Sequence, residues 1–436
     1  MTDVPPGRTR ARDATCLVVL ALLSACAGSA TPRVAESGGD VSRPARAARG
    51  AIGDLPVRVA LATTAADPRV SGTGDWRIVA ANGVVAASAR AGESWRAERQ
   101  GGQLRLVRPD GVSTRWLPSP VRVVSSGAGF VAYEGRRYRG ELVLHATDSG
   151  VAVVDHARLD DYLKGVVPLE IGRTRSASER AAVEAQAVAA RSYAYTRLAP
   201  SRPWDLRGSV LDQAYGGVDA ETPLASAAVD ATAGLVLRYG GRAVDAPYHA
   251  SCGGATAAGS EVWRTSDVPY LRSVSDRVPG AADRYWCDAA PRFSWVTTFD
   301  RAALDGAVGR YLRAYAAVPP SGPGAVRGVA VTSRTASGRV GTLALTTDAG
   351  VYGLRGNEIR FVLRAAGSEI LNSTYFSVES QRGLDGRLER LTLRGYGNGH
   401  GVGLCQWGAI GRARAGQDVR TILQAYYPGA DVGPAY

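Results

Sequence analysis

Lysine and long apolar runs are almost absent from this chain, and these absences narrow what the chain can be. Lys164 is the only lysine, so arginine carries nearly all of the basic charge behind the net charge of +12. After residue 26, no apolar run reaches the length of a transmembrane helix. No zinc-finger spacing or basic helix is present, which argues against nucleic acid as a partner. The basic charge suits an anionic partner such as cell wall or lipid headgroups, although a merely solubilising surface would have the same composition.

The N-terminal residues have the pattern of an export signal. Three arginines precede an apolar run from Ala14 to Ala25, which ends in Leu-Ser-Ala before Cys26. This ending resembles a bacterial lipobox, in which the cysteine is lipidated and becomes the first residue of the mature chain. The alternative is an ordinary secretory signal cut near Ala25 or Ala30. We therefore predict that residues 1–26 are a lipoprotein signal peptide and that a lipid anchors the exported chain to a membrane.

Composition and patterning divide the rest of the chain into three parts. Residues 27–50 are rich in Ala, Gly, Ser, Pro and Arg, which is typical of a flexible tether. Short alternating runs separated by turn residues predict a β-rich module over residues 51–145. Residues 146–436 combine helical and strand patterns in what we take as one domain. The predicted fold class is α+β, with a core of mixed strands and a few helices preceded by the β-rich N-terminal module.

One stretch contains both the clearest helix and a glutamate in apolar surroundings. It is DDYLKGVVPLEIGRTRSASERAAVEAQAVAARSYAYTR, residues 160–197. Ser176 and Glu179 have the spacing of a capping box, and the alanine-rich residues that follow predict a helix that other segments approach closely. Glu170 lies ahead of this helix, next to valine, proline, leucine and isoleucine. Such neighbours would raise the pKa of a catalytic carboxyl group, and the alternative is a glutamate that caps or pairs near the helix.

Several separated blocks resemble one family, in the correct order. The blocks are YLKGVVPLEIG, EAQAVAARSYA, DQAYGG, CGGATAAGSEVW, PYLRSVSD, and GHGVGLCQWGA followed by ILQAYYPGA. Together they resemble the SpoIID/LytB family, which contains stage II sporulation protein D and the amidase enhancers. The resemblance covers residues 140–436. It implies a SpoIID-like core in an exported protein that acts on peptidoglycan.

The resemblance also implies an activity and a residue that performs it. The sporulation member is a lytic transglycosylase, which cuts glycan strands whose peptide stems an amidase has removed. Its catalytic glutamate lies in the block matched here by Val-Pro-Leu-Glu, so the role of acid and base falls on Glu170. A non-catalytic wall-binding protein that recruits or stimulates an N-acetylmuramoyl-L-alanine amidase is the main alternative. Hydrolysis in which Asp212 or Asp205 activates a water molecule is a third possibility.

Other side chains in these blocks are candidates for the walls of a glycan groove. The glycine-rich stretch GNGHGVGLCQWGA lets the backbone approach a ligand and presents a ring, an amide and an indole. Trp407 in this stretch could equally be buried in the core, and others could be buried hydrogen-bonding partners. A serine hydrolase using Ser251 with His400 or His249 is disfavoured because no Gly-x-Ser-x-Gly elbow is present. The predicted substrate-binding residues are Arg191, Tyr193, Gln213, Tyr215, Ser251, His400, Gln406 and Trp407.

The remaining cysteines leave two possibilities open. In an oxidising compartment, three cysteines after Cys26 give one disulfide and one spare thiol. We expect the disulfide to join Cys252 and Cys287. Zinc is the alternative, because some relatives bind it and His249, Cys252, Cys287, His400 and Cys405 are potential tetrahedral ligands. No cofactor is predicted, since His249 and Cys252 are the only closely spaced pair of ligands.

Overall fold

A computed structural model describes residues 50–384 and 386–435 of the chain. The predicted signal peptide, Cys26 and nearly all of the predicted tether lie outside the described residues. Within the described part, no helix is both long enough and apolar enough to cross a membrane. The α-helices are α1 (Gly50–Gly53), α2 (Leu159–Ile171), α3 (Arg180–Tyr195), α4 (Pro223–Ala231), α5 (Gly259–Val262), α6 (Arg301–Tyr311), α7 (Asn357–Val362), α8 (Gln406–Arg414) and α9 (Val419–Tyr426).

The strands fall into two groups along the chain, before and after helix α2. Those before helix α2 are β1 (Pro56–Ala65), β2 (Arg69–Gly72), β3 (Trp76–Val79), β4 (Val85–Ala89), β5 (Ser94–Gln100), β6 (Gln103–Val107), β7 (Leu117–Pro118), β8 (Val121–Ser125), β9 (Val131–Tyr133), β10 (Arg136–Tyr138), β11 (Glu141–Thr147) and β12 (Gly150–Arg158). Those after it are β13 (Leu206–Arg207), β14 (Leu235–Tyr239), β15 (Arg242–Ala243), β16 (Tyr248–His249), β17 (Ser294–Asp300), β18 (Val326–Arg334), β19 (Val340–Thr347), β20 (Gly350–Arg355), β21 (Phe376–Arg382), β22 (Leu388–Tyr396), β23 (Leu404–Cys405) and β24 (Asp431–Pro434).

Two sheets form most of the N-terminal part. One has seven strands in the order β13-β1-β12-β11-β8-β3-β4, and the other has six in the order β10-β9-β2-β5-β6-β7. Trp76 of the larger sheet and Trp95 of the smaller meet edge to face, with ring centroids 6.4 Å apart, in a shared core. The predicted boundary between residues 145 and 146 lies inside β11. The larger sheet continues across it into β12 and β13, so the residues on both sides share one core.

Helix α3 is the central helix of this core, and the α+β class predicted from the sequence is confirmed. The helix packs against α2, α4, α8 and α9, with alanines such as Ala187 and Ala190 fully buried. Their small side chains let these neighbours lie close to the α3 backbone. The predicted capping box is present, because the Ser176 N–H donates to the Glu179 carboxylate at 2.9 Å. A 3₁₀ turn, Ala177–Glu179, then leads into α3.

A second hydrophobic core lies within residues 294–396 and is separate from the first. One three-stranded sheet has the order β17-β22-β21 and another the order β18-β19-β20, with α6 and α7 beside them. Trp295, Phe299, Leu343 and Leu391 are among its buried members. Residues 146–436, which were predicted to form one domain, contribute to two separate hydrophobic cores. Strand patterns are local and do not reveal which hydrophobic core a strand joins.

A fully buried carboxyl group in β12 yields a prediction about stability. Burial raises the pKa of Asp155 to about 7, although a hydrogen bond from the Tyr215 hydroxyl at 2.8 Å opposes the rise. Above its ordinary pKa of 3.8 the unfolded chain ionises this group more readily than the folded chain does, so folding stability falls as the pH rises from about 4 through 7. We expect Asp155→Asn to raise the free energy of unfolding by about 1 to 3 kcal/mol at pH 8.

The measurement for Asp155→Asn is urea unfolding of both proteins at several pH values. The stabilisation should vanish below pH 4, where both the folded and the unfolded wild type hold the proton. A difference in stability that does not change with pH would contradict the assignment.

Candidate active site

Glu170 lies in the last turn of helix α2, so the Pro-Leu-Glu segment is helical. Pro168 stands inside this helix, and Gly172 ends it with a φ of 106°. Val167 and Ile171 point into the core, whereas Leu169 remains 39 % exposed. The Glu170 side chain is half-buried between these two faces. The end of α2 thus presents one carboxyl group at the margin of the core.

The Glu170 carboxyl group has hydrogen-bond donors around it and takes part in no ion pair within the described part of the chain. Its Oε1 accepts a hydrogen bond from the Ala214 N–H at 2.8 Å. Burial raises the pKa of Glu170, and the Ala214 N–H and the side chains of Gln406 and Tyr248 oppose the rise by favouring the carboxylate. The environment therefore favours the protonated acid while also supplying donors for the carboxylate that proton transfer would leave.

Gln213 fixes the direction of the tyrosine hydroxyl that faces Glu170. Its Oε1 accepts from the Tyr162 hydroxyl at 3.0 Å, and its Nε2 donates to the Ala190 carbonyl at 3.3 Å and to the Tyr248 hydroxyl at 2.9 Å. Because an amide nitrogen only donates, the Tyr248 oxygen is an acceptor in this bond. Its own hydrogen is therefore available for the Glu170 carboxyl group. Gln213 was predicted to bind substrate; it is fully buried and positions Tyr248 instead.

Gln406 approaches the same carboxyl group from the first residue of helix α8. Its Nε2 donates to the Gln186 Oε1 at 3.2 Å, and its side chain is near enough to Glu170 to favour the carboxylate and so oppose the rise in the pKa of Glu170. Only the amide nitrogen of Gln406 can donate to a carboxylate, so Nε2 is the atom that favours the ionised form of Glu170. Of the predicted substrate-binding residues, Gln406 is the one whose side chain lowers the pKa of Glu170 against the effect of burial.

His400 holds the backbone of Tyr248 and does not present a free nitrogen. Its Nε2 donates to the Tyr248 carbonyl at 2.8 Å, and its Nδ1 accepts from the Val402 N–H at 3.1 Å. Burial and the positive charges of Arg360 and Arg339 lower the pKa of His400 to about 3. The imidazole is therefore neutral near neutral pH. His400 was predicted to bind substrate, but its ring nitrogens hold the backbone of Tyr248 and of Val402 instead.

The structure does not assemble a serine nucleophile with its base. Ser251 is buried, and its hydroxyl lies beside Cys287. The Nδ1 of His249 shares a hydrogen bond with the Val402 carbonyl at 3.1 Å, and both nitrogens of His400 are occupied. A serine hydrolase needs a hydrogen bond from the hydroxyl to an imidazole. Within the described residues neither histidine makes that bond with Ser251.

Arg191 and Tyr215 lie in the core rather than at a groove. The guanidinium of Arg191 is fully buried, pairs with Asp160 at 2.8 Å and donates to the Val229 carbonyl at 3.1 Å. The Tyr215 hydroxyl donates to the buried Asp155 carboxyl group. Both were predicted to bind substrate, and both fit the alternative of a buried hydrogen-bonding partner. The positions of these two residues in the sequence do not reveal that their side chains face the protein core and not the solvent.

Tyr193 and Trp407 are half-buried, and each ring lies under an arginine. The Arg197 guanidinium is 3.3 Å from the centroid of the Tyr193 ring, and Arg175 is 5.3 Å from that of Trp407. The Tyr193 hydroxyl donates to Asp212 at 3.3 Å, and its ring lies 6.2 Å from that of Tyr248. Tyr193 thus connects the Tyr248 side of the site to a cavity of about 450 Å³. That cavity is lined by residues 196–199 and by Arg202, Trp204, Asp205, Arg207 and Asp212.

Tyr248 was not among the site residues predicted from the sequence. It stands one position before the predicted His249, but no local pattern distinguishes it from other tyrosines of the chain. Its role depends on Gln213, His400 and Glu170, which lie far away in sequence and meet it only in the folded chain.

The loop that carries the Ala214 N–H depends on a glycine in α2. A Cβ added to Gly165 would lie 2.7 Å from the Tyr215 ring and 2.8 Å from the Gly217 carbonyl oxygen. We expect Gly165→Ala to lower the free energy of unfolding by about 1 to 3 kcal/mol, because the crowding displaces this loop. Chemical unfolding measures the effect.

The matched control is Gly306→Ala in the exposed face of α6, where an added Cβ meets nothing within 4 Å. This variant should be neutral or more stable by up to about 1 kcal/mol. Equal effects of the two substitutions would contradict the proposed close approach at Gly165.

The expected disulfide between Cys252 and Cys287 is not formed in this structure. Their sulfur atoms lie 3.4 Å apart, and both cysteines, like Cys405, are free and fully buried. The Cys405 Sγ accepts the Cys252 N–H at 3.2 Å, so the third sulfur belongs to the same cluster. Asp276 completes a group of four potential metal ligands. The two histidines considered as zinc ligands lie outside this group.

Comparison with known proteins gives the family. A model described as stage II sporulation protein matches residues 147–239, which include Glu170 and Gln213, and a domain of unknown function (DUF8618) matches residues 282–403, which include the second core. The chain is 28% identical over 301 residues to an uncharacterized protein of Brachyspira hyodysenteriae, covering 68% of this chain and 73% of that protein.

Two relatives from Bacillus subtilis carry descriptive names. The amidase enhancer is 30% identical over 296 residues, which cover 61% of this chain and 39% of the enhancer. Stage II sporulation protein D is 28% identical over 299 residues, which cover 65% of this chain and 76% of that protein. The chain thus spans well under half the length of the amidase enhancer. Its matches to the family model over residues 147–239 and to both named relatives support the SpoIID/LytB family.

Proposed function

We propose that this chain is an exported lytic transglycosylase that cleaves peptide-free glycan strands of peptidoglycan, with Glu170 as its single acid and base. The observation that carries the proposal is a half-buried carboxyl group with a raised pKa and no ion pair within the described residues, facing three hydrogen-bond donors. The names of the relatives, a stage II sporulation protein and an amidase enhancer, support a role at the cell wall.

The proposed reaction uses one carboxyl group twice. Protonated Glu170 first gives its proton to the glycosidic oxygen while the bond from that oxygen to the anomeric carbon breaks, and the leaving sugar departs as an alcohol. The carboxylate then removes the proton from the C6 hydroxyl of N-acetylmuramic acid. The oxygen of that hydroxyl bonds to the anomeric carbon of the same sugar. The product is an anhydro sugar, the acid is regenerated, and no water is consumed.

The surroundings of Glu170 suit both halves of this reaction. Burial keeps the proton on the acid before cleavage, since it disfavours the ionised form. After cleavage, the Ala214 N–H, the Tyr248 hydroxyl and the Gln406 amide face the negative carboxylate. Preorganised donors of this kind stabilise charge at the moment it develops. A second carboxyl group is unnecessary because the nucleophile belongs to the substrate.

Hydrolysis by an aspartate has less support. Asp205 accepts hydrogen bonds from the Arg58 guanidinium and from the Ala199 N–H, and these interactions lower its pKa in spite of burial. Asp212 accepts from the Arg207 N–H and the Tyr193 hydroxyl. Both carboxylates are therefore occupied by neighbours and poorly placed to take a proton from water.

Product analysis tests the proposed function. Peptide-free glycan strands are incubated with the full chain, and the fragments are examined by mass spectrometry. The proposal predicts fragments that end in anhydromuramic acid, each lighter by one water than a hydrolytic fragment. Reducing ends would indicate hydrolysis instead, and intact strands would contradict the enzymatic function.

A role as an amidase enhancer is the second candidate, because one named relative carries that description. In that function the chain binds the wall and raises the activity of an N-acetylmuramoyl-L-alanine amidase, and Glu170 performs no chemistry. The test adds wild type or Glu170→Gln to such an amidase on intact peptidoglycan and measures the release of stem peptides. Equal stimulation by the two proteins, together with uncut glycan strands, would support the enhancer function.

A further inference from the structure

We propose that Cys252, Asp276, Cys287 and Cys405 bind one zinc ion, which holds strand β16, with Tyr248, beside strand β23 and the start of α8, with Gln406. Cys252 follows β16, Asp276 and Cys287 come from the loop between α5 and β17, and Cys405 ends β23. All four residues have an exposure of 0%. The inference does not depend on the proposed enzymatic function, because it concerns residues other than Glu170.

The distances between the potential ligand atoms fit a tetrahedral site. Zinc binds sulfur at about 2.3 Å and carboxylate oxygen at about 2.0 to 2.2 Å, so two ligand atoms of a tetrahedron are about 3.4 to 3.8 Å apart. The Cys252 Sγ lies 3.4 Å from the Cys287 Sγ and 3.5 Å from the Asp276 Oδ2. All four ligand atoms lie within 4.8 Å of one another. Small side-chain adjustments therefore suffice to enclose the ion.

The donor set favours zinc over the hard cations and over a disulfide. Thiolate sulfur is a poor ligand for magnesium or calcium, whereas three sulfurs and one carboxylate in tetrahedral proximity suit zinc. A disulfide would use two of the three sulfurs and leave the third cysteine and the carboxyl group of Asp276 buried beside it. One divalent ion engages all four groups at once and offsets their negative charge.

Neighbouring groups orient the ligands as a metal site requires. The Tyr426 hydroxyl donates to the Asp276 Oδ1 at 2.6 Å, which leaves Oδ2 on the side of the sulfurs. The Cys405 Sγ accepts the backbone N–H groups of Cys252 at 3.2 Å and of Gly408 at 3.3 Å. Such donors stabilise negative charge on a thiolate and fix its direction.

Two arginines provide positive charge near the cluster. Arg412 lies 3.8 Å from the Asp276 carboxylate, and the buried guanidinium of Arg339 donates to the Cys252 carbonyl at 2.9 Å. Three thiolates and one carboxylate exceed the charge of a zinc ion by two. The two cations thus offset the remaining charge of the loaded site.

The position of the cluster explains what the ion would do. Strands β16 and β23 pair in parallel, with Tyr248 opposite Leu404 and His249 opposite Cys405. Tyr248 lies four residues before Cys252, and Gln406 directly follows Cys405. A metal bound to both cysteines therefore fixes the segments whose side chains favour the carboxylate form of Glu170. Cys287 precedes the 294–396 segment in the sequence and Cys405 follows it, so the same ion also links the two ends of this segment.

Metal analysis of the full chain tests the proposal directly. The protein is incubated with zinc, dialysed and analysed by inductively coupled plasma mass spectrometry, with the thiols counted by alkylation in denaturant without a reducing agent. We expect one zinc per chain and alkylation of all three of Cys252, Cys287 and Cys405. Substoichiometric zinc together with a disulfide between any two of these cysteines would overturn the proposal.

Cobalt replacement and two variants complete the test. Cobalt in the wild-type chain should give the intense thiolate charge-transfer and visible bands of tetrahedral coordination, and the absence of these bands would contradict the site. Cys287→Ser is expected to weaken zinc binding by at least about tenfold. The matched control is Asp288→Asn, since its carboxylate adjoins Cys287 but pairs with the exposed Arg284. Equal zinc binding by the two variants would also contradict the site. If Cys287→Ser fails to fold, the cobalt spectrum of the wild-type chain is the deciding measurement.

Discussion

Replacing Glu170 by glutamine is expected to slow the cleavage of peptide-free glycan strands by about 10²- to 10⁴-fold, the usual contribution of a general acid and base. Glutamine keeps the size of the side chain and can still accept the Ala214 N–H, but it cannot transfer a proton. The rate of appearance of anhydromuramic ends is the measurement. The control is Glu184→Gln on α3, because that carboxylate pairs with Arg180 at 2.7 Å and lies away from the site.

The same substitution should not weaken the fold, which separates a catalytic role from a structural one. Burial raises the pKa of Glu170, so above the ordinary pKa of 4.5 the unfolded chain loses this proton more readily than the folded chain. The wild-type group therefore costs stability as the pH rises above that value. We expect Glu170→Gln to unfold at the same or higher urea concentration at neutral pH, and the two proteins to be equal at low pH. A rate unchanged from wild type would contradict the role of Glu170.

The largest expected effect on stability comes from Asp160→Asn. The Asp160 carboxylate pairs at 2.8 Å with Arg191, whose guanidinium is fully buried between α3 and the end of α4. Removing the negative charge leaves a buried cation with only carbonyl and hydroxyl partners. Breaking a buried pair in this way costs about 3 to 5 kcal/mol. Chemical unfolding should therefore show a large fall in the midpoint for this variant.

Asp161→Asn provides the control at the adjacent position. Asp161 pairs with Arg158, whose side chain is 62% exposed. An ion pair with so exposed a partner contributes at most about 1 kcal/mol, so this variant should remain close to wild type. If both variants lost a similar amount of unfolding free energy, the burial of Arg191 would not be the cause of the loss in Asp160→Asn.

Features set by neighbouring residues could be predicted from the sequence. The capping box of Ser176 and Glu179 formed as expected because its two hydrogen bonds join residues three apart. The alanines of α3 indicated close packing because small side chains permit it. Glu170 itself was found by combining its apolar neighbours with the family resemblance. These signals are local, or lie in short motifs.

Features that depend on distant residues could not be predicted in the same way. Tyr248 matters because Gln213 and His400 hold it against Glu170, and the sequence positions of these residues are far apart. Asp276 joins three cysteines only through folding, so the cysteine count alone favoured a disulfide. The side chains of Arg191 and Tyr215 were expected at a groove because sequence spacing does not show which face of an element becomes buried.

The protonation state of Glu170 tests the central claim most directly. An infrared difference spectrum between wild type and Glu170→Gln isolates the stretching band of this one carboxyl group while the pH is varied. We expect a protonated-carboxyl band that persists well above the pH at which exposed glutamates ionise. A band that disappears at or below their ordinary pKa would contradict the account, because the group could then supply no proton to the glycosidic oxygen.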